Sequence, residues 1–423
     1  MNVRELGALL AEMADEHGVP GAALGISQDG QVSVVHTGVA DLTSAEPVTA
    51  ETPFGVGSIT KPVTATVILR LTQDGYLVID HPVAEVVPEL LDSPWAREAT
   101  IRDLLANRSG IPLRNAWEFE LTDDSRDALT RCATRIGAEP PTSRFWSYSN
   151  MGWALLGRVI EAVTGLSWEE ATQRYVLDPI GMEQTTVALT GQAEKRATGH
   201  QITPDGPQPV PAWTPRVYCS AGSTLLCTVP DLLRFAAVHL EDPSLAVMRE
   251  SHADISISGW LDGWGLGWGQ FNWVGGPVWG WDGVLPGERM VLRLLPDHKA
   301  AMVLATNGST GRALYRSVFP PLMEELGVAF PSPKVEAQAG ADGDLSRFAG
   351  EFAWIDRRCL VTASDEDLVI DVDDQQLTAS PMGNGVFLVN PENPDNPTVT
   401  FGDFDAAGRP NVIYLTLWGM PRV

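Results

Sequence analysis

Hydrophobic and polar positions along the 423-residue chain switch between helical and alternating rhythm several times. Over residues 3–17 apolar side chains recur at helical spacing until His17-Gly18, which reads as a helix end. From Gly21 to Gly38 the period falls to two, with Leu24, Ile26, Val32, Val34 and Val35 as buried positions and Gln28-Asp29-Gly30 as the turn of a hairpin. Helical spacing then dominates. One helix starts at Ser58 and runs through Val67-Ile68-Leu69 to Asp74-Gly75, and another spans 101–112, stopped by Gly110 and Pro112. Further helices are predicted over 151–164, 167–178 and 229–240, and the proline-rich stretch 198–220, with Trp213 and Tyr218, reads as a long ordered loop.

From Gly259 the pattern becomes alternating again. Trp260, Trp264, Leu266 and Trp268 share one parity opposite a run of glycines, which predicts a strand with one bulky face. Six of the fourteen tryptophans fall between 260 and 281, and they read either as core filling or as an aromatic wall along a cleft. Two apolar strands over 290–297 and 301–307 and a helix over 310–326 follow. Residues 328–343, with Pro331, Pro333 and many small residues, read as a linker. Beyond it, short strands between 348 and 417 predict a small antiparallel barrel or sandwich. The expected organisation is a first unit at 1–327, helical over 76–255, a linker at 328–343 and a β-unit at 344–423.

Charge and composition narrow the function classes. A formal net charge of −25 argues against nucleic acid or an anionic membrane as partner, since both need a basic face. The N-terminus leads into an amphipathic helix with no secretory pattern, and no apolar run is long enough to span a bilayer. Cys132, Cys219, Cys227 and Cys359 fit neither a C-x-x-C pair nor a disulfide framework, so a cytoplasmic protein with reduced thiols is expected.

Three stretches carry candidate chemistry. In Gly57-Ser58-Ile59-Thr60-Lys61-Pro62, a serine and a lysine three apart share one side of a starting helix, so the amine sits beside the hydroxyl. A neighbouring amine is one way to make serine nucleophilic without histidine. The pair alone is weak, because a helix start with a solvated lysine looks the same. In Ser147-Tyr148-Ser149-Asn150, an extended loop would aim Tyr148 and Asn150 the same way, one to relay a proton and the other to hold a substrate carbonyl. An interfacial tyrosine and a helix-capping asparagine are the plainer reading. In Gly280-Trp281-Asp282-Gly283-Val284, Gly283 would let backbone approach a ligand closely, although a tight turn also accounts for it.

No G-x-S-x-G elbow, H-E-x-x-H helix, zinc-spaced Cys/His cluster, Walker loop or dinucleotide fingerprint occurs, so no metal or cofactor is expected. Taken together and in this order, the three stretches resemble the serine β-lactamase and penicillin-binding-protein superfamily. The likeness covers residues 1–327, with supporting matches at Val19-Pro20-Gly21, Leu104 to Pro112, Tyr148 to Gly165 and Ala221-Gly222. It implies an α/β fold, a five-stranded antiparallel sheet flanked by helices with a helical subdomain and the site between them. Carried over by that resemblance, Ser58 is the nucleophile, Lys61 and Tyr148 handle its proton, and Asn150, Trp281, Asp282 and Gly283 border the substrate. The N–H groups of Ser58 and Val284 form the oxyanion hole. The C-terminal unit resembles the lipocalin-like barrel of D-aminopeptidases and peptide-cyclising thioesterases, and Arg422 is expected to reach the cleft and bind a carboxylate. A solvated terminal arginine is the alternative.

Two departures stand out. Trp281 replaces the lysine or histidine usual in the family, as in the family VIII carboxylesterases, which argues against β-lactamase activity. Asn107 replaces a histidine. The resulting expectation is a serine acyl-transfer enzyme acting on a small-molecule or peptidyl substrate, free or carrier-bound: an esterase, D-peptidase or peptide cyclase of natural-product metabolism. The alternative is a catalytically silent ligand-binding module. The sequence leaves oligomeric state and acyl acceptor open.

Overall fold

The computed structural model describes residues 2–111, 125–138, 145–187, 196–211, 216–223, 225–257, 261–331, 342–354, 357–390 and 398–423. Among these, the main sheet is built from β1 (Gly21–Gln28), β2 (Gln31–Asp41), β3 (Glu46–Pro47), β4 (Ala253–Ile257), β5 (Leu261–Trp264), β6 (Gly269–Trp273), β7 (Gly276–Leu285), β8 (Glu288–Leu295) and β9 (Ala300–Thr306). Their order is β3-β2-β1-β9-β8-β7-β6-β5-β4, antiparallel throughout. The five longest, β2, β1, β9, β8 and β7, are adjacent and form the expected five-stranded sheet, which shorter strands extend at both edges.

Helices cover both faces, which is why β8 and β9 read as continuous apolar runs and are buried along nearly their whole length. Helix α1 (Val3–Glu16) lies against the Val35 face, where Gly7 meets that side chain. On the opposite face, Gly25 makes room for Val229 and Leu233 of a helix at 229–241. The helix α2 (Thr60–Gln73) is buried from Thr60 through Leu69 and again at Leu71, which explains its weak amphipathic pattern. Two of its buried hydroxyls find carbonyl acceptors: Thr66 donates to Pro62 O at 2.7 Å and Thr64 to Ser220 O at 3.0 Å. A further helix, α3 (Asn150–Thr164), packs against α2 and presents its N-terminus to the same end.

The C-terminal strands, from Gly350–Trp354 to Trp418–Pro421, follow one another in chain order as an eight-stranded antiparallel barrel. It is nearly closed by a bridge between Phe352 and Arg422 and by Val423 N–H donating to Glu351 O at 3.0 Å. Phe348, Phe352, Phe387 and Phe401 fill its interior. Along Pro410–Leu415 the side chains alternate: Ile413 points into the barrel, while Val412 and Tyr414 join the main core.

Several expectations change. The glycine-flanked tryptophans do not form one strand: β5 ends at Trp264, the chain turns through Gly265–Trp268, and β6 starts at Gly269. Gly267 at φ +92° makes that turn, and it sends Trp264 to Leu105 O and Trp268 towards His239. Trp260, Trp213 and most of the 328–343 stretch lie outside the described residues. Val32 is exposed, opposite Ser27 beside the turn of its hairpin. The 101–112 helix ends at Leu105, because Asn107 takes a left-handed conformation at φ +53°. A short hairpin, His200–Thr203 with Gly206–Pro209, occupies part of the expected loop. The described helices include none long and apolar enough to cross a membrane.

The barrel docks on the extended segment Phe145–Ser149. Phe145 packs edge-on against Trp354 at 4.8 Å, Trp146 lies 6.1 Å from Tyr414, and Gly419 N–H donates to Ser147 Oγ at 3.3 Å. A Cβ on Gly419 would sit 2.5 Å from the Phe145 ring. Gly419→Ala is therefore expected to lower stability by about 1–3 kcal/mol, measured by denaturant melts, as overpacking does. An unchanged melt would mean that this docking surface yields freely.

Candidate active site

The turn Gly57–Ile59 precedes α2 and presents Ser58 at the base of a cleft of about 310 Å³. Gly57 has φ +51°, and a Cβ there would lie 2.6 Å from the backbone N of Val284. A Cβ on Gly283 would lie 1.9 Å from Val56 O. These two contacts hold the Ser58 turn flush against β7. Strand β6 pairs with β7 only as far as Gly280, so from Trp281 onward that edge faces the cleft. Leu285 and Glu288 flank a two-residue hairpin and form its hydrogen-bonded pair, so alternation turns the Val284 N–H outward to the cleft.

Lys61 is fully buried, and its amine has three partners: Ala221 O, Asn150 Oδ1 at 2.8 Å and Ser58 Oγ at 3.1 Å. Desolvation holds its pKa well below the ordinary lysine value. The two carbonyl oxygens can only accept, so they take two N–H groups. In the neutral amine the lone pair is then left for the Ser58 hydroxyl. Ser149 caps α3 by accepting from Gly152 N–H at 3.0 Å, which frees Asn150 to face Lys61.

Tyr148 is buried, and desolvation raises its pKa above the ordinary tyrosine value while hydrogen bonds with Ser58 and Trp281 oppose the rise. Trp281 Nε1 donates to Tyr148 Oη at 3.1 Å. The phenol stays neutral, accepts from the indole and keeps its own proton for Ser58. Trp264 and Trp281 meet edge to face at 4.6 Å behind it, so the tryptophan-rich stretch is both core and cleft wall.

The structure thus brings Ser58, Lys61, Tyr148, Asn150, Trp281, Gly283 and Val284 together. The expectation for Arg422 is corrected, and that for Asp282 gains a second partner. Asp282 borders the cleft, but strand alternation turns it away from Trp281 and Gly283. Its carboxylate pairs with buried Arg293 at 2.6 Å, a guanidinium held over Phe271 and Tyr315. Arg422 does not line the cleft. Its guanidinium donates to Pro410 O at 2.7 Å, Ala349 O at 2.8 Å and Arg347 O at 3.4 Å, and so closes the barrel.

Other residues line the cleft that the sequence did not disclose. The hairpin tip of the barrel supplies Leu417 and Trp418, and Leu417 O accepts the Tyr148 N–H at 3.1 Å. Arg289 and Arg312 bring the positive charge assigned beforehand to Arg422. Glycine next to Trp418 was the available sign of a close approach. The Ala221 carbonyl, a backbone group, leaves no trace in residue type.

Residues 6–319 match the Beta-lactamase family. The chain belongs to this family. Penicillin-binding protein 4 of Amycolatopsis lactamdurans is 33% identical over 370 residues, covering 80% of this chain and 94% of its own. The crystal structure of SurE superposes with a TM-score of 0.82 at 28% identity, over 100% of this chain and 99% of that one. Its complex with D-Leu gives 0.80 at 28%, with the same coverage. A class C β-lactamase from Rhodobacter sphaeroides, 21% identical over 75% of this chain and 99% of its own, shares the fold with a TM-score of 0.65. The β-lactamase and penicillin-binding-protein group is one of serine hydrolases.

Burial of Lys61 has a consequence for stability. Its folded-state pKa is depressed, so between that value and the ordinary 10.5 the unfolded chain binds the proton more tightly, and stability from this position rises with pH. Against Lys61→Met, which lacks the titration, the wild type is expected to gain relative stability as pH climbs through that interval. Parallel denaturation midpoints across pH would show that the amine is not desolvated.

Proposed function

We propose that this member of the Beta-lactamase family is a serine acyl-transfer enzyme that forms an ester on Ser58 from a peptide-like or acyl ester, thioester or amide. The observation that carries the reading is the Lys61 amine, desolvated and held by two carbonyl acceptors, with its remaining position on Ser58 Oγ. Oγ attacks the substrate carbonyl and gives its proton to Lys61 Nζ. The oxygen of the tetrahedral adduct lies between the Ser58 and Val284 N–H groups. The leaving group departs with a proton from the Lys61–Tyr148 pair. Water or an amine then attacks the acyl-enzyme by the reverse sequence, losing its proton to the same pair, which returns one to Ser58 Oγ as the ester bond breaks.

The cleft supports an apolar acyl group, since Trp281, Val284, Met290, Leu417 and Trp418 line it. Arg289 and Arg312 offer a carboxylate of donor or acceptor a place to pair. SurE, solved with D-Leu, points to peptides or amino acids of D configuration as a substrate class. A cytoplasmic small-molecule or peptidyl substrate, with no cofactor, completes the reading. The units 1–327 and 344–423 act together, because the barrel tip walls the cleft.

Intact-protein mass spectrometry tests the reading directly. Wild type mixed with a p-nitrophenyl ester or a peptidyl thioester mimic is expected to carry a transient acyl adduct and give hydrolysed or cyclised product, while Ser58→Ala does neither. An adduct that never turns over would favour the ligand-binding module.

The pH profile and the cleft wall give two further expectations. kcat/KM should rise with pH as Lys61 deprotonates, with an apparent pKa well below 10.5, then hold a plateau because Tyr148 ionises above its ordinary 10. A bell closing near neutrality would exclude this pair. Trp418→Ala should raise KM for a bulky acyl ester by about tenfold, the effect of roughly 1.4 kcal/mol of lost apolar contact, and much less for acetyl esters. Equal changes for both would remove Trp418 from substrate contact.

A further inference from the structure

Glu288 sits at the start of β8, 3% exposed, opposite Leu285 in the hairpin. Its Oε1 accepts the Gly55 N–H at 3.1 Å, and its Oε2 pairs with Arg196. Gly55 lies three residues before Ser58, and Leu285 directly follows Val284. One carboxylate therefore links the chain just before one oxyanion donor to the chain just after the other. We infer that Glu288 is a positioning residue that sets the spacing between the Ser58 and Val284 N–H groups. The inference rests on the Ser58 reading above.

The surroundings make the link stiff. A Cβ on Gly55 would lie 2.4 Å from Leu285 and 3.0 Å from Glu288 Oε2, so the Gly55 backbone has no room to slide. Arg196 comes from a segment stitched to both sides: Ala197 N–H donates to Pro53 O at 2.9 Å, and His200 N–H to Gly287 O at 3.1 Å. The three strands of chain at 53–58, 283–288 and 196–200 converge on one buried ion pair. Such a pair adds little net stability over well-packed apolar side chains, so its specific product here is geometry. Glu288 is not among the residues that line the cleft. Oxyanion donors act only at about 2.7–3.1 Å from the developing charge, so a small change in their spacing falls on the chemical step.

Three variants separate this role from plain folding. Glu288→Gln keeps an acceptor for Gly55 N–H, whereas Glu288→Asp keeps the charge but withdraws it by one methylene. The double change Arg196→Leu with Glu288→Leu removes both charges and leaves no orphan guanidinium. Each is assayed for kcat and KM with a p-nitrophenyl ester, for melting temperature, and for affinity towards an aryl boronic acid, whose Ser58 adduct places an oxygen in the hole. Glu288→Gln is expected to keep kcat within about threefold, while Glu288→Asp and the double variant lose about tenfold or more with KM little changed. Boronate affinity should fall by the same factor as kcat/KM, whatever the melting temperature does. A folded Glu288→Asp or double variant with wild-type kcat, or a loss confined to KM, overturns the positioning role alone. Wild type that neither turns over the ester nor forms a Ser58 boronate adduct overturns the Ser58 reading, and this inference with it.

Discussion

One buried nitrogen organises the molecule. A desolvated lysine amine is costly unless it finds hydrogen-bond partners, and Lys61 draws those partners from three separate parts of the chain. Ala221 O comes from the stretch before the helix at 229–241, Asn150 from the start of α3, and Ser58 from the turn that opens α2. Gly222 permits the first of these approaches, because a Cβ there would lie 2.6 Å from both Gly57 O and Ser58 Cα. Helices α2 and α3 and the stretch around Ala221 are thereby registered against one another at the point where the reaction is proposed to occur.

Trp281 gives the site a different character from one built around a second cation. Its indole can only donate, and it donates to Tyr148 Oη, fixing the direction in which the phenol offers its own proton. The ring also packs against Trp264 and Tyr148, so the same side chain that orients the tyrosine dries its surroundings. Asp282, the next residue, holds the strand from behind through Arg293, and the two neighbours divide the work by the two-residue period of the strand.

How much of this was legible in the sequence depends on the kind of information involved. The hairpin at Gly21–Gly38, the central helix after Ser58 and the apolar strands around Met290 and Ala301 declare themselves by period. Ser58, Lys61, Tyr148, Asn150 and Gly283 declare themselves by type and order. What escaped was long-range: Arg422 lies one turn of chain from the cleft wall, yet barrel closure captures its guanidinium, and Trp418 takes the cleft position instead. Gly265–Trp268 escaped as well, since alternation of tryptophan and glycine is compatible with both a strand and a turn, and only the separate destinations of Trp264 and Trp268 decide between them. Glu288 and Arg196, 92 residues apart, look like ordinary surface charges until the fold buries them together.

The hydrogen bond from Tyr148 to Leu417 O has a consequence in time as well as in space. A chain made from its N-terminus has the sheet, the buried lysine and the serine turn available well before residues 417–419 emerge, and domains fold in that order. Until the last hairpin arrives, the tyrosine segment lacks its backbone anchor and one wall of the cleft is open. Biosynthesis therefore completes the serine turn and the buried lysine first and closes the wall of the cleft later.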